Sequence, residues 1–265
     1  MFLIKAVTMF KKFIYTTLLF ISFTTIVNAT IVEFQTSQGN FQVNLFDSST
    51  PATVDNFLQY IDEQHYTNSV VHRVSSNFVV QGGGFTFEGN FPLTRIETNP
   101  AVINEPIYSN VRGTIAMAKL GGDPDSATDQ WFFNLADNAS NLDLQNSGFT
   151  VFGQVIGDGM TTIDKIAQLT LCNSANLEGI PMVIADDQQC SDLVTPGLEN
   201  FVIVEQIIIV DSAEVTDADL SPVKNTLITA PTEPTPTPDN DSSGGGTFAW
   251  FLILGLVPLL IRRYS

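Results

Sequence analysis

The sequence predicts a mainly β protein: an antiparallel barrel, closed or nearly closed, with two helices plugging its ends. Three observations predict it. Short apolar runs alternate with polar residues at the strand period, turn residues punctuate them at close intervals, and only two stretches carry a helical period. The barrel is expected within residues 30–219 of the 265, because both ends have a different composition.

The elements follow in order. Val32 and Phe34 alternate with Glu33 and Gln35, Phe41, Val43 and Leu45 with Gln42 and Asn44, and Ser37-Gln38-Gly39-Asn40 supplies the turn of a hairpin. Thr50 is a good N-cap, Pro51 suits the first helical position, and Val54, Phe57, Leu58 and Ile61 recur at helical spacing. Ser69–Val80 returns to strand character, broken at Ser75-Ser76-Asn77. "GTIAMAK" from Gly113, "DQWFFN" from Asp129 and "FTVFGQV" from Phe149 read as short buried strands. Met160, Ile163 and Ile166 mark a second helix over Gly159–Leu169, and Phe201–Val210 is a nearly continuous apolar strand.

Residues 1–29 have the pattern of a secretory signal: Lys11-Lys12, an apolar run from Phe13 to Val27, and the small-residue end Val27-Asn28-Ala29. Residues 220–246 are rich in Pro, Thr and Gly ("PTEPTPTPDN", "SSGGG") and read as an extended, solvated linker. Residues 247–265 hold an apolar block, Thr247–Ile261, followed by Arg262-Arg263. At 15 residues it is shorter than the ~20 that span a bilayer comfortably. Its glycines, short apolar helix and basic end resemble the GlyGly-CTERM sorting tail of certain Gram-negative bacteria. That resemblance implies cleavage by a rhomboid-type protease and surface display or release, so the membrane is met at least transiently. A permanent anchor facing the periplasm is the other reading.

No Asp or Glu lies in residues 1–29 or 247–265, which hold five of the eleven basic residues. Clustered cations for nucleic acid or polyphosphate are therefore missing, and the acidity reads as solubility. Cys172 and Cys190 lie in a chain expected to be exported, where a disulfide is the favoured pairing; two thiols alone make a poor metal site. His65 and His72 are the only histidines, and neither an HExxH spacing nor a Gly-x-Ser-x-Gly elbow accompanies them. No metal or cofactor is expected. Gly82-Gly83-Gly84 follows a strand but opens no helix, so it is not a nucleotide fingerprint.

One set recurs in order: His72-Arg73, then Phe78, Val79, Gln81 and Gly82-Gly83, then Gly113–Ala118, Asp129–Asn134 and Val151-Phe152-Gly153. In this order and spacing it resembles the cyclophilin family of peptidyl-prolyl cis–trans isomerases, in its bacterial exported branch. The resemblance covers about Thr30–Val210, with an atypical insertion over 172–200. It implies an eight-stranded antiparallel barrel capped by two helices, monomeric, acting on proline-containing polypeptides to assist folding of extracytoplasmic proteins.

That chemistry explains the residue types. Amide resonance opposes rotation about an X–Pro bond with a barrier of ~18–20 kcal/mol. As the amide twists, the prolyl nitrogen recovers its lone pair, and a fixed cation nearby favours that state over the planar one. The resemblance implies that Arg73 is this cation and that Gln81 orients it and binds substrate backbone. Phe78, Val79, Met117, Phe132 and Leu142 would form the proline pocket, with Phe149 filling a position that relatives give to histidine or tyrosine. Ala118 and Lys119 would lie along the peptide groove, with Gln130 opposite. Trp131 is expected on the core side of its strand, and Phe152 in the core. Asn141 stands where drug-sensitive relatives carry tryptophan, which implies weak cyclosporin binding. Residue by residue, Phe78 and Phe132 also fit plain barrel core, and Arg73 a structural cation paired with Glu33 or another acid. A non-catalytic proline-binding or chaperone module is the alternative that Asn141 keeps open.

Overall fold

The computed structural model describes residues 30–174, 177–193, 195–212 and 220–228. The expected signal segment and apolar tail lie outside the described residues, among which no helix is long and apolar enough to cross a membrane.

The predicted hairpin forms from β1 (Ile31–Thr36) and β2 (Phe41–Leu45), with Val32, Phe34, Val43 and Leu45 fully buried, as the alternation requires. β3 (Ser69–Val70), β4 (Arg73–Ser75) and β5 (Val79–Gly82) follow helix α1 (Pro51–Asp62). After the short β6 (Phe85–Thr86) and β7 (Thr94–Arg95) come β8 (Thr114–Met117), β9 (Trp131–Asn134), α2 (Ala139–Leu142), β10 (Val151–Ile156) and α3 (Gly159–Ala167). β11 (Thr170–Ser174), β12 (Leu177–Met182) and β13 (Ile203–Asp211) complete the set.

The large sheet runs β4-β5-β9-β8-β10-β2-β1-β13-β3-β6-β7, with its pairings antiparallel. β3 and β4 are one run of chain interrupted only at Val71-His72. Its start pairs with β13 and its end with β5, so the sheet curls round and meets itself through this run. Counting that run once and setting aside the short β6–β7 ribbon leaves the eight strands expected. α1 and α3 are the two predicted helices.

Aromatic packing organises the interior. Phe34 stacks on Phe41 at 5.0 Å between ring centroids and meets Trp131 and Phe133 edge-on at 5.2 and 5.4 Å. Trp131 and Phe152 both lie in this core, as expected. Truncating Phe34 to alanine should cost about 3–5 kcal/mol, since nothing nearby can fill the space.

Three features depart from the sequence reading. Thr50 makes no side-chain cap to α1. Instead the Glu105 carboxylate, brought from a distant loop, accepts from the backbone N–H groups of Ala52 (3.3 Å) and Thr53 (2.9 Å). An anion there also meets the positive end of the helix dipole. Secondly, the 172–200 insertion carries structure that the sequence left unassigned: β11 and β12 form a hairpin over a second small core of Ile180, Met182, Leu93 and Phe201, and the expected Cys172–Cys190 disulfide ties it to the following turn. Thirdly, the expected solvated linker begins on the barrel. Ser109 N–H donates to Val223 O (2.8 Å) and Asn225 N–H to Ile107 O (2.9 Å), so residues 220–228 lie as a strap along 107–109. The backbone groups of 107–109 offer the ladder that this segment fills.

Candidate active site

Strand register builds the site. Arg73 pairs with Gln81 across β4–β5, Gln81 with Phe132 across β5–β9, Phe132 with Ala116 across β9–β8, and Ala116 with Val151 across β8–β10. Residues in one such row share a face of the sheet. The next row, Val74, Val80, Phe133 and Ile115, belongs to the barrel interior. The Arg73 row therefore faces outward, and it carries a cation at one end and an apolar wall at the other.

The wall is a separate apolar cluster of Val79, Ala116, Phe132, Leu142 and Val151 with Phe46, joined at its open side by the half-buried Phe78, Ala118 and Phe149. Phe149 meets Phe132 edge-on at 5.8 Å. Phe78 reaches this face because the chain turns sharply after β4: Asn77 has φ 57 and Phe78 N–H donates to Ser75 O at 3.0 Å. The predicted break at Ser75–Asn77 is that turn.

At the polar end, the Arg73 guanidinium donates through Nη1 to Gln81 Oε1 (3.2 Å), and Gln81 Nε2 donates to Gln130 Oε1 (2.9 Å). Gln130 closes up because Gly84 has no side chain: a Cβ there would sit 2.6 Å from Gln130 Nε2. The glycines at this strand end thus admit Gln130 and, at Gly82, the Trp131 ring. Arg73 is half-buried and has no carboxylate within ion-pair distance among the described residues, so the Glu33 pairing does not form. Desolvation lowers its pKa below the ordinary arginine value, and the nearby Glu178 charge on β12 opposes that shift.

Of the sequence-derived set, Arg73, Gln81, Phe78, Val79, Ala118, Gln130, Phe132, Leu142 and Phe149 come together on this face. Met117 does not. It is fully buried in the barrel interior beside Trp131, its pairing partner. Alternation along β8 gives the outward place to its neighbour Ala116. Lys119 is also displaced from the open groove. Its Nζ turns beneath the 146–148 turn, donating to Asn146 O (2.9 Å) and to Gly148 O, and sits 4.9 Å from the centre of the Phe149 ring. Burial pulls its pKa down to about 8 against the pull of Asp125 and Asp123. It holds a turn in which Asn146, Ser147 and Gly148 all have positive φ.

A polar bracket behind the wall was not legible in advance. Asn138 Nδ2 donates to Phe78 O (2.9 Å) and to Asn134 Oδ1 (2.7 Å), and Asn134 Nδ2 donates to Thr114 Oγ1 (2.9 Å). Asn110 Nδ2 donates to Phe149 O and to Asp143 Oδ1, each at 3.1 Å. These amides fix the two loops that carry Phe78 and Phe149. The only sequence signal is the asparagine-rich run "NLADNASN" from Asn134. His65 and His72 are core residues, and no group of metal-ligating side chains forms among the described residues.

An outward cation held by an amide chain beside an apolar cluster on a barrel wall is an arrangement able to hold a peptide with an apolar ring. Comparison with known proteins supplies the family. The model for "Cyclophilin type peptidyl-prolyl cis-trans isomerase/CLD" matches residues 31–185, and the chain belongs to this family. It is 40% identical over 157 residues to peptidyl-prolyl cis-trans isomerase A of Dickeya dadantii, covering 58% of this chain and 79% of that protein. It is 38% identical over 157 residues to isomerase B of Escherichia coli (57% and 92%) and 37% identical over 153 to an isomerase of Acinetobacter baylyi (57% and 79%). The chain is a peptidyl-prolyl cis–trans isomerase that acts on proline-containing polypeptides.

Proposed function

We propose that this isomerase works outside the cytoplasm and that Arg73 is its catalytic cation. The observation that carries the assignment is the chain Arg73–Gln81–Gln130, which holds a guanidinium in the same outward row as Phe132 of the pocket wall. The proline ring occupies the pocket of Phe78, Val79, Ala116, Phe132, Leu142 and Phe149. Gln81 and Gln130 bind substrate backbone, and Ala118 lines the groove. Rotation of the amide brings the prolyl nitrogen lone pair toward Arg73, whose charge is already desolvated and fixed and so needs no reorganisation in the twisted state. Arginine suits this better than lysine because its forked donors can serve Gln81 and the substrate together. Asn141 is exposed at the pocket's edge, consistent with weak cyclosporin binding.

Supporting the extracytoplasmic reading are the signal-like segment 1–29, the Cys172–Cys190 disulfide and the sorting-type tail at 247–265. A monomer that meets the membrane through its tail is the expected form. Turnover of an X–Pro peptide by wild type and Arg73→Ala tests the mechanism; equal rates would remove Arg73 from it. Intact mass of the protein from its native host tests the ends. A chain starting at Thr30 and ending near Gly244–Gly246 supports export and processing, retention of Arg262-Arg263 supports an anchor, and an intact residue 1–29 segment argues against export.

A further inference from the structure

We propose that the groove has a ligand within its own chain: the Pro-rich segment that follows the strap. The inference rests on the site assignment above and adds an occupant to it. The strap is held at several points along 107–109, and Asn225 Nδ2 also donates to Asp143 O (3.1 Å) on the loop after Leu142. Leu220, at its start, packs against the cluster that forms the pocket wall. Ile228, at its end, lies against Gly148, so close that a Cβ on that glycine would be 2.8 Å from Ile228 Cδ1. Gly148 immediately precedes Phe149, whose ring packs edge-on against Phe132 in the pocket wall. The strap thus delivers the chain to the rim of the groove.

What comes next is ligand-like. Ala230-Pro231, Glu233-Pro234, Thr235-Pro236 and Thr237-Pro238 follow in quick succession, without a bulky side chain among them. Each residue of extended chain spans up to ~3.3–3.6 Å, so Pro231 can reach about 10 Å from Ile228. Ile228 already lies against Gly148, the residue next to Phe149 of the pocket wall, so only a short stretch of chain separates it from the pocket. Pro-rich segments favour the extended polyproline conformation and lose little entropy on docking. Attachment at Ile228 gives them an effective concentration on the order of millimolar, enough to compete with weakly bound external peptides. Cleavage at Gly244–Gly246 would leave all four prolines attached, so this internal competitor would survive release of the tail.

The test uses the full chain in detergent micelles. Exchange NMR on labelled proline follows cis–trans exchange of the linker bonds, and a free X–Pro peptide reports turnover in parallel. Linker exchange is expected to run faster than the uncatalysed scale of tens to hundreds of seconds, at a rate unchanged by roughly tenfold dilution. It should fall to the uncatalysed rate in Arg73→Ala. Replacing Pro231, Pro234, Pro236 and Pro238 by alanine, which leaves the strap intact, should raise kcat/KM for the free peptide about twofold. Linker exchange equal in wild type and Arg73→Ala, while Arg73→Ala loses peptide turnover, would overturn this inference alone. Acceleration that falls with dilution would mean exchange between chains and would also overturn it. Unchanged peptide turnover in Arg73→Ala would instead strike the site assignment.

Discussion

Arg73 and Gln81 face each other across the β4–β5 ladder, and the guanidinium Nη1 donates to the Gln81 amide oxygen at 3.2 Å. One amide thus bridges the cation and Gln130, on the strand pair that also carries the pocket wall. Removing the cation should lower kcat on an X–Pro peptide by about a hundredfold, the usual cost of losing a preorganised transition-state donor. Arg73→Lys should recover part of this, since charge returns without the fork.

Gln81→Ala frees the guanidinium and the Gln130 amide together. A loss of about tenfold in kcat/KM is expected, with Gln130→Ala costing less. Because both act on one chain of bonds, the double variant should fall short of the summed penalties by an amount within the ~0.5–3 kcal/mol seen for coupled residues. Full additivity in steady-state assays would mean that Gln130 does not steady Gln81.

Lys119→Met keeps the length of the side chain and deletes its charge. The carbonyls of Asn146 and Gly148 lose their donor, and the ring of Phe149 its cation. Unfolding in urea should report a loss of about 2 kcal/mol, as for hydrogen bonds to a charged group. KM should rise as Phe149 loosens while kcat changes little, because Arg73 is untouched.

His72 supplies a pH dependence. Burial, aided by the Arg73 charge, holds its pKa at about 4 against an ordinary 6.5, although Asp129 pulls the other way. Between those values the unfolded chain takes up a proton that the folded chain refuses. This contribution to stability is therefore complete above pH 6.5, falls as pH drops toward 4, and is exhausted below that. The total is about 3 kcal/mol. Urea midpoints at pH 7 and pH 4.5 should converge more for His72→Gln than for wild type.

Replacing Cys172 and Cys190 by serine opens a loop closed over a separation of 18 residues, which should cost about 3 kcal/mol in chain entropy. β12 lies hard against β4: a Cβ on Gly179 would sit 2.4 Å from Val74 O. Loosening that hairpin should lower kcat through Arg73's strand, with KM nearly unchanged because the pocket lies on the other side. Thermal unfolding and peptide kinetics together check both parts.

The sequence by itself determined the order of the main barrel strands and the two longer helices, because alternation in β1 and β2 and helical spacing in α1 and α3 are local properties written by burial on one face. It also pointed to the family, through the order and spacing of Arg73, Phe78, Gln81 and Phe132. It could not decide which of Ala116 and Met117 faces the pocket. β8 and β9 are buried on both faces, one by the core and one by the pocket wall, so their apolar runs carry no alternation to read. Tertiary structure decided that parity through the ladder to Phe132. It also set the Glu105 cap on α1, turned Lys119 under the Phe149 turn and laid residues 220–228 beside the groove, since each depends on groups far apart in the chain meeting in space.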